Sequence, residues 1–503
     1  MQEITSLINR GELSEAERQC LQRLAKRPED TTANFLLAVV LWRGARPAEA
    51  LERCRETLAR SPSNPGLLSD LGNLLRELGA YSEALASLDR SLALRPGNSG
   101  ACYNRALVLR TMGREEEAGR AIASIGPGDP LFSRARFLRG AMRQDFGDMA
   151  GAEADFRDCI EAEPGHYRAW YALALTRRFE PGEEILGRLE RQLTGTSGSP
   201  EARRHLLFAL AKLLDDMGQY DAATDRVLEA NRLAEARYDG ESIERRLASL
   251  RREFSSFPSP GQPSSTAPLP VFIVGMPRSG TTLVESLLDR HPDIMALGEL
   301  DILPGLISDF SRPADSDALL DMRSGYLDAL PPESRHASAI LDKMPGNFWR
   351  MGHIVLMFPD ARIVHCQRDP RDVAISNFFT LFAEGNSFAY RLDSLAHYSA
   401  CHDRIMSHWN QVIGDRIFPL DYAQLVSDPG ATMKRLTGFL GFNWDPAMLD
   451  VPDKRRRIKT ASMWQARQPV YTTSLERWRK YPGLAREFTA SYEKYSRRLA
   501  KFD

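Results

Sequence analysis

The chain has 503 residues, too long for one ordinary hydrophobic core, so two or three domains are expected. Lys and Arg number 66 against 67 Asp and Glu, a formal net charge of -1. That balance gives no global basic field for nucleic acid and no acidic excess of the kind that keeps chains disordered. An apolar fraction of 43% beside 26% charged residues is ordinary for a globular protein in water.

The N-terminus, Met1 to Arg10, has no basic start followed by an apolar run, and no uninterrupted apolar segment long enough to span a bilayer follows. A cytoplasmic location is the resulting expectation. Cys20, Cys54, Cys102, Cys159, Cys366 and Cys401 are scattered without metal-ligand spacing, which predicts buried free thiols and neither a disulfide framework nor a zinc site.

Self-similarity dominates the first third. Ala16, Ala50, Ala84, Ala118 and Ala152 recur at one interval, and Pro28, Pro62, Pro96, Pro130 and Pro164 at the same one. That interval resembles the ~34 residues of a tetratricopeptide repeat. Gly79, Gly113 and Gly147 fall in the expected inter-helix turns, and Gly72 and Gly140 take the small position of a first helix. A small residue lets paired helices approach, and stacked pairs bury what one pair cannot. The resemblance implies a superhelix with a concave surface for a peptide or protein partner, or for a second subunit in a homodimer.

Beyond Pro164 the register slips, although Gly218 to Ala223 repeats the turn signature and Pro181-Gly182 marks another turn. Residues 165–254 are expected to be degenerate repeats with a capping helix near Glu241–Phe254. The run from Glu244 to Arg252 reads as a solvated helix face. Residues 255–270 are Pro/Ser-rich and aperiodic, the expected boundary between an array over 1–254 and a second domain over 271–503.

That second domain opens with Val-Phe-Ile-Val-Gly-Met-Pro-Arg-Ser-Gly-Thr-Thr, residues 271–282. A short buried strand, a glycine-containing loop and a helix from Thr281 make an anion cradle of backbone N–H groups. Arg278, Ser279, Thr281 and Thr282 add side-chain donors beside Gly280. The spacing of Gly275 and Gly280 fits a nucleotide-triphosphate loop, but Thr281 occupies the lysine position, which disfavours triphosphate hydrolysis. Further strands are expected at Ser338–Asp342, Ala361–Cys366 and Arg416–Leu420, leading into Lys343, Arg368 and Tyr422. Strands alternating with helices imply a parallel α/β sheet with ligands at the carboxyl ends.

The loop and the Arg368/Ser376 pair together resemble the two phosphate motifs of the sulfotransferases, and the second half resembles the tyrosylprotein sulfotransferases and the bacterial enzymes that join tetratricopeptide repeats to such a domain. The resemblance implies a P-loop-like three-layer α/β domain using 3′-phosphoadenosine 5′-phosphosulfate (PAPS), with no metal. It places Arg278 to Thr282 on the 5′-phosphosulfate, Arg368 with Ser376 on the 3′-phosphate, and Tyr422, Tyr471 and Arg477 on the nucleotide. It implies Glu299 as base and Lys343 and Ser462 as transition-state stabilisers, with Ser462 to Tyr471 in a closing loop. Thr380 departs from the pattern, which has an arginine there; either the 3′-phosphate is held with one fewer cation or Arg371 substitutes. Lys454 to Arg457 and Lys459 read equally as a solvated loop or as nucleotide contacts.

In this reading Glu299 takes the proton of an acceptor hydroxyl, Lys343 and Arg278 offset charge on bridging and leaving oxygens, and Ser462 donates to the sulfuryl group. His291 is the competing base, though His-Pro at a helix end favours a structural role, and His365 reads as a packed strand residue. Peptide tyrosine, glycan, lipid and secondary-metabolite hydroxyls all stay open as acceptors. The competing functions are an interaction scaffold with a degenerate nucleotide domain, and a small-molecule kinase, which the absent loop lysine disfavours.

Overall fold

The computed structural model describes residues 1–60, 63–195, 199–257, 268–307, 316–383, 385–450 and 474–502. By their contacts the residues form two compact units, Met1–Gln144 with Ala150–Ala169, and Asp145–Met149 with Trp170–Asp503.

Helix pairs build the first unit: Gln2–Arg10 with Leu13–Lys26, Thr31–Arg43 with Pro47–Arg60, Pro65–Glu77 with Tyr81–Leu94, Ser99–Thr111 with Glu115–Ala123, and Phe132–Asp145 with Met149–Ala162. Each pair is one of the five repeats expected from the alanine and proline spacing. The recurring alanines, Ala16 through Ala152, have no exposed surface, because each lies where two helices touch. Gly72 and Gly140 allow the same approach: a Cβ at Gly72 would stand 2.5 Å from Leu88, and one at Gly140 2.6 Å from Phe156.

The second unit starts with helices, among them Pro200–Asp216, Tyr220–Arg232 and Gly240–Glu253. They group with the sheet that follows, whereas the sequence suggested a division at 255–270; of that connector, residues 258–267 lie outside the described residues. Helix Gly240–Glu253 is not the solvated face its charges suggested. Leu247, Leu250 and Phe254 are buried on one side of it, and Phe254 seats over Gly352, where a Cβ would come within 2.5 Å of its ring. Tyr238 bonds His397 at 2.6 Å and Glu244 bonds the same ring at 2.7 Å, so the segment is fastened to helix Leu392–Ile413. Arg245 and Arg252 alone keep the expected exposure among its arginines.

Five parallel strands follow: β1 Leu269–Gly275, β2 Ile294–Ala296, β3 Ala339–Asp342, β4 Arg362–Gln367 and β5 Ile417–Asp421, ordered β2-β3-β1-β4-β5. Side chains alternate between two covered faces. Val271 and Ile273 pack with Val284, Leu287, Leu425 and Leu436 on one face. Phe272 meets Tyr326 at 6.1 Å and Phe358 at 6.3 Å on the other. The register pairs Phe272 with Asp342, Gly275 with Cys366 and Gln367 with Asp421. Lys343, Arg368 and Tyr422 therefore each follow a strand at the same edge as the β1 loop. Among the described residues no helix is long and apolar enough to cross a membrane, and all six cysteines are free and buried.

Candidate active site

β1 delivers the chain into a tight loop whose backbone is set by two glycines and one strained residue. Gly275 has φ 149°, and a Cβ on it would stand 2.7 Å from the Cys366 carbonyl. Gly280 has φ 108°, and a Cβ there would meet the Tyr422 ring at 2.4 Å. Arg278 lies between them at φ 71°, a left-handed conformation that costs a non-glycine residue about 1–3 kcal/mol and clusters at ligand sites. Helix Thr281–Leu288 begins directly after Gly280, with Thr281 and Thr282 buried in its first turn. Ser279 is 2% exposed, and its Oγ has no hydrogen-bond partner among the described residues. A buried hydroxyl without a partner, just before the N-terminus of a helix, fits an anionic ligand.

The segment after β4 closes onto the loop. Arg278 Nε donates to Ser376 Oγ at 3.0 Å, and Arg368 Nη1 donates to the Arg278 carbonyl at 3.1 Å. Asn377 Nδ2 holds the Pro277 carbonyl at 2.7 Å, so helix Pro370–Phe378 braces the loop twice. Arg368 also lies 4.7 Å over the Tyr422 ring and donates to the Ser474 carbonyl at 2.5 Å. Tyr422 shares a 2.8 Å hydrogen bond with Ser474 Oγ. Arg278, Gly280, Arg368, Ser376 and Tyr422, separated by up to 144 positions in sequence (422 minus 278), are one contact group. Buried Asp372 was not singled out from the sequence. It accepts the Glu476 and Trp478 N–H groups at 2.9 and 3.0 Å and lies 3.8 Å from Arg368. Its one sequence signal is the i,i+4 spacing from Arg368.

Beyond β3 a second cluster faces the loop. Lys343 is fully buried and its Nζ donates to Glu299 Oε1. Glu285, on the helix that leaves the loop, lies 3.8 Å from the same nitrogen. A buried ammonium between two carboxylates is compensated. The Glu299 side chain is 38% exposed, so its carboxylate can reach a solvent-side hydroxyl. Asp342, one residue earlier, accepts the Tyr326 hydroxyl at 3.1 Å, and burial pushes its carboxyl up to about 7, aided by the nearby Glu285 charge. Glu285 and Asp342 escaped the sequence reading because nothing in an apolar helix marks a carboxylate as facing Lys343, and nothing at a strand end marks one as the acceptor of Tyr326.

The other residues singled out from the sequence have the following partners. Arg477, expected on the nucleotide, gives Nη2 to Asp215 at 2.9 Å. Arg371 is held by Asp369 at 2.6 Å and stacks 3.8 Å over Trp478. Thr380 returns its hydroxyl to the Ser376 carbonyl at 2.7 Å. His291 bonds the Asn443 carbonyl at 3.1 Å, and His365 is buried 3.3 Å from His402, so both histidines have structural partners. Ser462, Tyr471 and the basic run Lys454 to Lys459 lie outside the described residues.

The model of the sulfotransferase family matches residues 270–446, and that of the tetratricopeptide repeat matches residues 1–65 and 69–130. An uncharacterized protein of Aquifex aeolicus (strain VF5) is 31% identical over 330 residues, covering 60% of this chain and 43% of its own. Protein-tyrosine sulfotransferase 1 of Danio rerio is 24% identical over 241 residues, covering 41% of this chain and 65% of its own. The chain thus spans less than two thirds of either relative. Among solved structures, the sulfotransferase domain from the Synechococcus PCC 7002 olefin synthase aligns with 46% of this chain and 98% of its own at 21% identity, with a TM-score of 0.33. MamA aligns with 33% of this chain and 96% of its own at 21% identity, with a TM-score of 0.29.

Proposed function

We propose, on the premise that this chain carries a sulfotransferase-family domain behind tetratricopeptide repeats, that it transfers a sulfuryl group from PAPS to an acceptor hydroxyl. The observation that supports this most is the Lys343–Glu299 ion pair at the sheet edge that also carries the braced loop. A degenerate binder has no use for a buried lysine aimed at a part-exposed carboxylate.

When bound, the donor supplies an activated sulfuryl group and leaves as 3′-phosphoadenosine 5′-phosphate. The chain's own residues do the rest. The loop N–H groups with Ser279, Thr281 and Thr282 hold the 5′ anion, while Arg368 and Ser376 hold the 3′-phosphate. Tyr422 presents a ring beside Gly280 and Arg368. Glu299 takes the acceptor proton as the new oxygen–sulfur bond forms and the old one breaks. Lys343 and Arg278 offset charge on the departing oxygen, and Ser462 is assigned to the sulfuryl oxygens by the family pattern alone. Because the Danio rerio relative is a protein-tyrosine sulfotransferase, a peptide tyrosine is the first acceptor to try, with the repeats binding acceptor or partner.

Calorimetric titration of the full chain with 3′-phosphoadenosine 5′-phosphate, beside ATP, tests the donor. Binding that Arg368→Ala abolishes is expected, with ATP weak. Glu299→Gln and Lys343→Ala should keep nucleotide binding while turnover falls about 10²- to 10⁴-fold, the usual share of a positioned acid or base. A folded wild type that binds no nucleotide would overturn the reading.

A further inference from the structure

By the resemblance drawn from the sequence, an arginine is expected where this chain has Thr380, which leaves a gap in that pattern. Arg371 does not fill it, being committed to Asp369 and to the Trp478 ring. A different arginine lies one tyrosine ring away from the backbone that follows Thr380.

Arg204, on helix Pro200–Asp216, has Nε and Nη2 buried with no hydrogen-bond partner among the described residues. Its guanidinium lies 4.3 Å from the Tyr390 ring and 5.7 Å from that of Phe208. The backbone just past Thr380 is held by tyrosines next to it: Tyr390 donates to the Phe382 carbonyl at 3.1 Å, and the Leu381 N–H donates to the Tyr171 hydroxyl at 3.4 Å. Phe208 meets the Tyr171 ring edge-on at 6.4 Å. The Tyr171 hydroxyl lies in the field of both Arg278 and Arg204, which partly offset the effect of its burial. Arg278 in turn bonds Ser376. Tyr390, Phe208 and Tyr171 thus connect Arg204 to the backbone of Leu381 and Phe382, which follows Thr380. Two unmet guanidinium donors in a buried position are costly without a ligand, and the planar fork matches the oxygens of a phosphate monoester.

We propose that Arg204 supplies the cation missing at Thr380 and, with the Tyr171 hydroxyl, completes the subsite for the donor's 3′-phosphate. The proposal rests on the donor reading above. It makes the helices of residues 170–254 part of the nucleotide site, a role that repeat character alone does not suggest.

The test titrates full-length wild type, Arg204→Ala and Arg204→Lys with 3′-phosphoadenosine 5′-phosphate and with adenosine 5′-phosphosulfate, which lacks the 3′-phosphate. Arg204→Ala should weaken the first by about 10- to 100-fold, as for a lost charge-assisted contact, with Arg204→Lys in between. Affinity for the second should be the same in all three. Equal loss for both nucleotides would mean a scaffold role, and undiminished binding of the first by a folded Arg204→Ala would also overturn the proposal. In that last case wild-type binding leaves the donor reading standing; if wild type binds neither nucleotide, both fall.

Discussion

Asp215 holds Arg477: one carboxylate oxygen accepts the guanidinium Nη2 at 2.9 Å, and the other takes the Tyr481 hydroxyl. The pair ties helix Pro200–Asp216 to the segment Ser474–Tyr481, which Asp372 grips from the other side through two backbone N–H groups. Because Ser474 touches both Arg368 and Tyr422, Asp215 is linked through that segment to the proposed nucleotide site. Arg477 meanwhile lies over the Phe379 ring at 5.2 Å, its charge already matched.

Asp215→Asn should therefore cost about 1–3 kcal/mol, the price of leaving a partly buried guanidinium and phenol short of their acceptor. The change should appear as a lower urea midpoint at constant slope. It should also weaken 3′-phosphoadenosine 5′-phosphate binding, by less than Arg368→Ala does. An unchanged midpoint would show that the pair contributes nothing to the fold.

Gly280→Ala adds a Cβ 2.4 Å from the Tyr422 ring at φ 108°, whereas Gly79→Ala, at φ 77°, meets nothing within 4 Å. Both pay the left-handed backbone penalty of about 1 kcal/mol or more. Only the first should also displace Tyr422 and lower nucleotide affinity, by at least about tenfold for a lost contact of that size. Comparable nucleotide binding by the two variants would contradict the close approach.

Asp342 carries a pH signature. Its folded-state pKa of about 7 is raised above the unfolded value of about 3.9. Its contribution to stability is fully present below pH 3.9 and is lost as pH rises through about 7. The stability of wild type minus that of Asp342→Asn should fall by about 1.4 kcal/mol per pH unit inside that window and level off above it. Urea unfolding of both proteins between pH 4 and pH 8 checks this; a difference independent of pH would sink it.

The repeats were legible because their signal is periodic: one small residue and one proline per unit at fixed spacing, each tied to a local packing need. The strands β1, β3, β4 and β5 were legible as apolar runs ending in chemistry-bearing residues. β2, Ile-Met-Ala, was not, since three residues carry no pattern and only pairing with β3 makes them a strand. The pairing of Arg477 with Asp215 was not legible, since a motif fixes a residue type in a row but not what stands opposite it.

By itself the sequence determined the array, the glycine-containing loop after β1, and the placement of Lys343, Arg368 and Tyr422 after strands, all set by interactions within a few residues along the chain. Only the tertiary structure decided which polar groups meet: Lys343 with Glu299 and Glu285, Arg278 with Ser376, Arg477 with Asp215. It also decided that residues 170–254 belong with the sheet. The reason is that charge pairing and burial act through space over a few ångströms, between positions whose separation in sequence bears no relation to that distance.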